Sequence, residues 1–269
     1  MSDDQDLGSD DASAKITEIF ESEGGRMYQL ALRFCGDPDE AEDLVQEVFL
    51  QAYRGWAGFR GDSDVKTWLY QIAARACQRM HRKRVGEPEH MASIDAPLPF
   101  GEPLIAVIPD EQGNALQQQI RKEARERLEA EIARLPDDFR VPLVLKEIVG
   151  LGVKQVAAVL GLEEGTVRSR LHRARLKLRH AIDPAIPRTP DPAPPPAYDQ
   201  QTCLDLLDAK QHALDRGVPF ANKVICQRCR SVFAELDLAQ SLCAQLADGD
   251  MPPSLRQKLA KVLTKGKPS

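Results

Sequence analysis

Two groups of side chains in this sequence have types and spacings that could do chemistry. The first is cationic. Lys66, Arg75, Arg79, Arg82, Lys83 and Arg84 fall within residues 66–84, and Arg168, Arg170, Arg173, Arg175, Lys177 and Arg179 fall within residues 166–180; neither stretch contains an acid. Local fields of this kind dock a polyanion even when the whole chain carries a net charge of -5. The second group is thiol. Cys203, Cys226, Cys229 and Cys243 cluster near the C-terminus, while Cys35 and Cys77 stand alone. Cys226 and Cys229 form a CxxC, which on a helix places both sulfurs on one face. Such a set can hold structural zinc, with His212 as the alternative to Cys243 for the fourth ligand. A redox-active pair or a plain buried thiol cluster remains open beside it. His172 and His180 have no thiol or acid at ligand spacing and are assigned to a polar or phosphate-facing surface. HExxH, the deaminase HxE with PCxxC, and the Walker lysine loop are absent, so no enzyme chemistry is indicated.

The second cationic stretch must be positioned by helices. In VKQVAAVLGLEEGTVRSRLHRARLKLRHA, Ala157 is small enough for a helix crossing and Gly161 tolerates the positive φ of a tight turn. Leu162, Val167 and Leu171 can lock a second helix onto the first. The pattern is a helix-turn-helix. Its second helix is expected to present Thr166, Arg168, Ser169, Arg170, Arg173 and Arg175 to solvent, the early residues toward base edges and the later ones toward phosphates.

Elsewhere the chain reads as helical throughout. Residues 1–14 carry five Asp and no cation and are expected to be a disordered acidic tail. From 15 to 85, Ile16, Ile19 and Phe20 start one helix, and Met27, Leu30, Ala31 and Phe34 mark the next. Gly36-Asp37-Pro38 breaks the chain. Asp37 caps a new helix with Pro38 at its first position and Ala41, Leu44, Val45, Val48, Phe49 and Ala52 on its apolar face. A further helix runs from about Val65 to Arg84. Residues 86–114, rich in Pro and Gly, read as a linker, and 115–182 as a second domain containing the helix-turn-helix. Residues 183–199 are a stiffer Pro-rich linker, 200–248 a small helical module, and 249–269 a tail. The fold class is therefore all-α. No apolar run reaches membrane-spanning length and the acidic N-terminus is no signal peptide, so a cytoplasmic protein without membrane contact is expected.

The segment DPDEAEDLVQEVFLQAYRG, followed by FRGDSDVKTWLYQIAARACQRMHRKR, resembles the second domain of extracytoplasmic-function RNA polymerase sigma factors. LPDDFRVPLVLKEIVGLGVKQVAAVLGLEEGTVRSRLHRARLKLR resembles their fourth domain. The resemblance implies a non-enzymatic factor that binds core RNA polymerase and promoter DNA and needs no cofactor. It implies that Asp43, Gln46 and Glu47 dock on the clamp helices of the largest polymerase subunit. It further implies that the loop of Phe59, Arg60, Gly61 and Asp62 and the helix bearing Lys66, Trp68, Tyr70, Arg75, Arg79 and Arg82 read and melt the minus-ten element. Trp68 could equally be a core residue. Arg75 and Arg79 stand where many family members place Asn and Asp. The segment 202–246 resembles the zinc-associated anti-sigma domain, fused here in cis, although Asn222 stands where that family has His. Such a module implies regulation by an intramolecular or separate anti-sigma contact. The competing reading is a helix-turn-helix regulator that acts without replacing a sigma factor.

Overall fold

The computed structural model describes residues 4–61, 64–82, 104–221, 225–247 and 249–264. Its contacts divide the chain into two compact units, one of residues 1–87, 158–162 and 246–269, the other of residues 88–157 and 163–245.

In the first unit, α1 (Asp4–Cys35) and α2 (Pro38–Gly55) form an antiparallel pair against which α3 (Val65–Arg82) packs. The break between α1 and α2 follows from local chemistry. Gly36 adopts φ 74°, and Asp37 caps α2 by accepting from the amides of Asp39 and Glu40. The buried face of α2 is Ala41, Leu44, Val45, Val48, Phe49 and Ala52, as the helical spacing predicts. Asp64 accepts from the Lys66 amide at 2.7 Å at the start of α3.

Two expectations for this unit are corrected. Residues 4–14 are the first turns of α1, not a disordered tail. The two helices expected between Ile16 and Phe34 are one, running straight through Gly24-Gly25. The residues expected to be a tail explain that pair. Pro253–Thr264 is a helix, here α10, which packs on α1 and α2 through buried Leu255, Leu259 and Leu263. The Ser13 hydroxyl donates to the Leu263 carbonyl at 2.7 Å. A Cβ at Gly25 would lie 3.2 Å from the Gly249 carbonyl oxygen, and one at Gly24 would lie 3.3 Å from the Met251 methyl. The glycines let the chain entering α10 approach the α1 backbone.

Gly25→Ala should stabilise a chain truncated after residue 248 by about 1 kcal/mol, the helix-propensity difference. It should give no gain in the full chain, where the new methyl meets the Gly249 carbonyl. Urea midpoints of the four proteins check it.

In the second unit, α4 (Ala115–Arg134) leads into α5 (Asp137–Leu143), a π-helical turn (Val144–Ile148), α6 (Val153–Leu160) and α7 (Glu164–Ile182). Pro142 lacks the amide an α-helix would use, and the next turn widens so that the Val149 amide donates to the Val144 carbonyl at 3.0 Å. The two segments read as linkers meet in a short antiparallel pair, β1 (Leu104–Ala106) with β2 (Arg188–Pro192), in register Leu104↔Pro192 and Ala106↔Arg188. Alternation could not reveal strands this short and proline-bearing. The C-terminal module is α8 (Gln200–Arg216) and α9 (Gln227–Ala244), and α9 packs on α4, α7 and β1. Asp199 caps α8, and Gly217 ends it at φ 65°.

Candidate nucleic-acid interface

The helix-turn-helix forms as its residues predict. Gly161 takes φ 67° between α6 and α7, and Ala157, Val167 and Leu171 are buried. Helix α7 then sorts its cations by face. Thr166, Ser169 and Arg173 are exposed. Arg168 is held by Glu164 one turn earlier at 2.6 Å, and Arg170 by Asp138 at 3.2 Å, both pairs lying at the surface.

Arg175 does not face solvent. It is 4% exposed and belongs to a buried network. Its Nε and Nη2 donate to Glu147 Oε1 at 2.8 and 2.6 Å, and its Nη1 donates to Asp215 Oδ1 at 2.7 Å and Gln211 Oε1 at 3.1 Å. Gln240 Nε2 donates to the other oxygen of Glu147 at 3.0 Å. His172 Nε2 lies 3.3 Å from Asp215 Oδ2. Burial pushes the Asp215 carboxyl up, but the His172 contact and the Arg175 guanidinium outweigh it and hold the carboxyl below its usual range. Arg179 is likewise inside, its Nε 2.5 Å from Oε2 of fully buried Glu235. Arg188 donates to Oε1 of the same carboxylate at 2.8 Å.

The reason was present in the spacing. Val167, Leu171, Ala174 and Leu178 define the buried stripe of α7, and Arg175 and Arg179 sit four residues after Leu171 and Arg175 respectively, beside that stripe. A guanidinium there must find carboxylates, and α8 and α9 supply them. Neither Asp215 nor Glu235 belongs to a motif that marks it in the sequence. The available signal was an acid interrupting an apolar face, as Glu235 does between Val232 and Leu236.

On the first unit, Arg75 and Arg79 project from α3 into solvent, and Arg60 is exposed in the preceding loop. Arg79 lies 4.0 Å from Glu47. Lys66 is drawn to Glu23 at 2.9 Å. Trp68 is half-buried and shares an aromatic cluster with Phe59, at a centroid distance of 5.0 Å, and Trp56, at 6.1 Å. It is thus both a packing residue and the anchor of the loop that carries Arg60. Asp62 and the side chain of Arg82 lie outside the described residues. On α2, Asp43 is exposed, whereas Gln46 and Glu47 are half-covered and Glu47 accepts from Gln51.

Two cationic helical surfaces, one on a helix-turn-helix and one beside an aromatic-anchored loop, are the chemistry of a DNA-binding protein. Residues 19–86 match the Sigma-70 region 2 family, and residues 125–178 match Sigma-70 region 4. The chain is 35% identical to the RNA polymerase sigma-H factor of Pseudomonas aeruginosa, over 60% of this chain and 82% of that protein. It is 32% identical to the ECF RNA polymerase sigma factor SigW of Bacillus subtilis, over 65% of this chain and 91% of that one. Among solved structures, the sigma factor RpoE in complex with the anti-sigma factor NepR from Bartonella quintana aligns with 24% identity and a TM-score of 0.41, covering 64% of this chain and 97% of that one. The chain belongs to the extracytoplasmic-function RNA polymerase sigma factors. Proteins of this family bind core RNA polymerase and promoter DNA and need no cofactor to do so. The regulator acting without polymerase is not favoured, because both sigma regions are present and in order.

The cysteines do not form the expected zinc set. Cys203 and Cys229 meet at 3.8 Å, with Cys226 beside Cys229. Cys243 lies fourteen residues beyond Cys229 on the same helix, about 21 Å along its axis. Its burial, and after that the nearby Glu147, raise its thiol well above the ordinary value. His212 lies nine residues beyond Cys203 on α8, about 13 Å away along the axis. It contacts Asp208 at 3.2 Å and the His172 ring at a centroid distance of 5.5 Å. Helix rise therefore separates both fourth-ligand candidates from the thiols. Among the described residues, no group of three or more His, Cys, Asp or Glu gathers to hold a metal. Asn222 lies outside the described residues. Among those described, no helix is long and apolar enough to cross a membrane.

Proposed function

We propose that this sigma factor carries its own regulator, the α8–α9 module, and that the module acts by occupying the rear of the promoter-reading helix α7. The observation that carries this reading is the pairing of Asp215 and Glu235 with Arg175 and Arg179. The module's two carboxylates fix the helix that must enter the major groove, so its packing can set the angle at which Thr166, Arg168, Ser169, Arg170 and Arg173 meet minus-thirty-five DNA.

The remaining contacts are assigned by chemistry. Arg60, Lys66, Trp68, Arg75, Arg79 and Arg82 serve the minus-ten element, where a basic helix and aromatic faces suit a separated strand. Asp43, Gln46 and Glu47 serve the clamp helices of the polymerase, where an acidic helix face gives orientation and encounter rate. The protein works in the cytoplasm and has no active site of its own. The two DNA contacts, each weak alone, reinforce one another because they are tethered.

In vitro transcription with core polymerase tests the reading. Adding the full chain should start RNA synthesis at defined promoters, and deleting residues 190–269 should change promoter output at least several-fold. Equal output from both chains would remove the regulatory role. No initiation by either would remove the sigma assignment to this chain.

A further inference from the structure

Residues 104–111 lie between the two stretches that match the sigma regions, yet they are held by residues from beyond both. The Ile105 amide donates to the Thr189 hydroxyl at 3.3 Å, and the Val107 amide to the Pro187 carbonyl at 2.8 Å. The Ala106 amide is buried and donates to the Ser231 hydroxyl of α9 at 2.8 Å. Farther on, Gln245 Nε2 donates to Glu111 Oε1 at 2.8 Å. The chain connecting the two sigma regions is thus strapped down by β2 and α9.

The fastening converges on one carboxylate. The Ser231 hydroxyl accepts from Ala106 and donates to Glu235 Oε1, one helical turn on, at 3.5 Å. The same oxygen accepts from Arg188 of β2 at 2.8 Å, and the other, Oε2, is paired with Arg179 of α7 at 2.5 Å. Glu235 is fully buried. In a low-dielectric interior, members of such a network depend on one another, and losing one weakens the rest. The strap is its weakest member. β1 has three residues, pairs with one strand and loses regular register between Leu104 and Ala106. A two-stranded pair is marginal in water, so its opening is a low-energy local event.

We propose that residues 104–107 are a release strap for the recognition helix. Displacing them from β2 and Ser231 loosens Glu235 and, with it, the hold on Arg179. A change in the chain between the two sigma regions is then felt at the helix that meets minus-thirty-five DNA. Glu235 is the positioning residue through which the two ends communicate. By linkage the coupling runs both ways, so whatever draws α7 off the module also frees the strap. The inference rests on the reading of the α8–α9 module as a regulator and adds the element that triggers it.

Hydrogen exchange followed by NMR on the full chain tests the coupling. Val107 is 47% exposed, so Val107→Pro sacrifices little packing, yet it removes the amide that donates to Pro187 and sets the ring against that carbonyl. The Ala106 amide and the Arg179 Nε–H should both exchange about ten-fold faster than in the parent chain, while the amides of α1 and α2 keep their rates. Val107→Thr, which retains the amide and the branched shape, should leave both at the parent rate. Ser231→Ala, a one-oxygen change, should speed both from the other side of the strap and carries the test if Val107→Pro unfolds the second unit. Arg179→Lys should in turn speed exchange at Ala106. Faster exchange at Ala106 with Arg179 unmoved would mean that the strap frays alone, and would overturn the proposal; so would unmoved rates at both sites in Ser231→Ala. These rates are read without polymerase. Coupled exchange in a chain whose promoter output ignores deletion of residues 190–269 would support the strap and remove the regulatory reading. Uncoupled exchange in a chain that responds to the deletion would overturn the strap alone.

Discussion

Arg175→Ala should lower the stability of the second unit by about 3–5 kcal/mol, the cost of leaving buried charge without its partner. Two carboxylates, Glu147 and Asp215, share this one guanidinium, and both are almost wholly enclosed. Without it, the remaining side-chain partners among the described residues are Gln240 for Glu147 and His172 for Asp215. The urea midpoint of the full chain measures the loss. A surface phosphate contact would behave in the opposite way, with stability unchanged and only DNA binding reduced. Asp215 adds a pH signature. Its folded-state carboxyl is held below the ordinary value, so its contribution is complete above the unfolded pKa of about 4 and is lost as pH falls through the lower folded value. Asp215→Asn should therefore flatten the stability profile below about pH 4 while lowering its neutral plateau. An acid limb identical in both proteins would contradict the account.

The second large effect concerns function at nearly constant stability. Arg168 and Arg173 lie on the outer face of α7, Arg168 tied to Glu164 at the surface and Arg173 exposed. Replacing both by alanine should weaken promoter binding by the polymerase–sigma complex about 100-fold, at about 1–2 kcal/mol for each arginine. It should shift the urea midpoint by no more than about 0.5 kcal/mol equivalent, as expected for surface positions. If one of the two contacts phosphate, its single replacement should reduce the salt slope of binding by about one while leaving sequence preference intact. Binding isotherms at several salt concentrations separate the two roles. Two residues apart on one helix, Arg173 and Arg175 are expected to fail in different assays.

The sequence alone determined the local elements and the family. The Asp37–Pro38 start of α2, the six apolar positions beneath it, and the Gly161 turn between α6 and α7 each follow from backbone conformation or helical period, which act over a few residues. The order of the two sigma regions is likewise written in the chain. What tertiary structure decided is the fate of groups whose partners lie far away in sequence. Arg175 reads as a DNA contact until Asp215, forty residues on, is brought against it. The apolar positions from Ile16 to Phe34 read as two helices, whereas they lie on one, whose Gly24-Gly25 pair is met by Gly249 and Met251. The four clustered cysteines read as one ligand set until the rise of α9 carries Cys243 away from the other three. Periodicity reports which face of a helix is covered, but the charge or backbone atom that covers it comes from another element, and only the packed chain brings the two together.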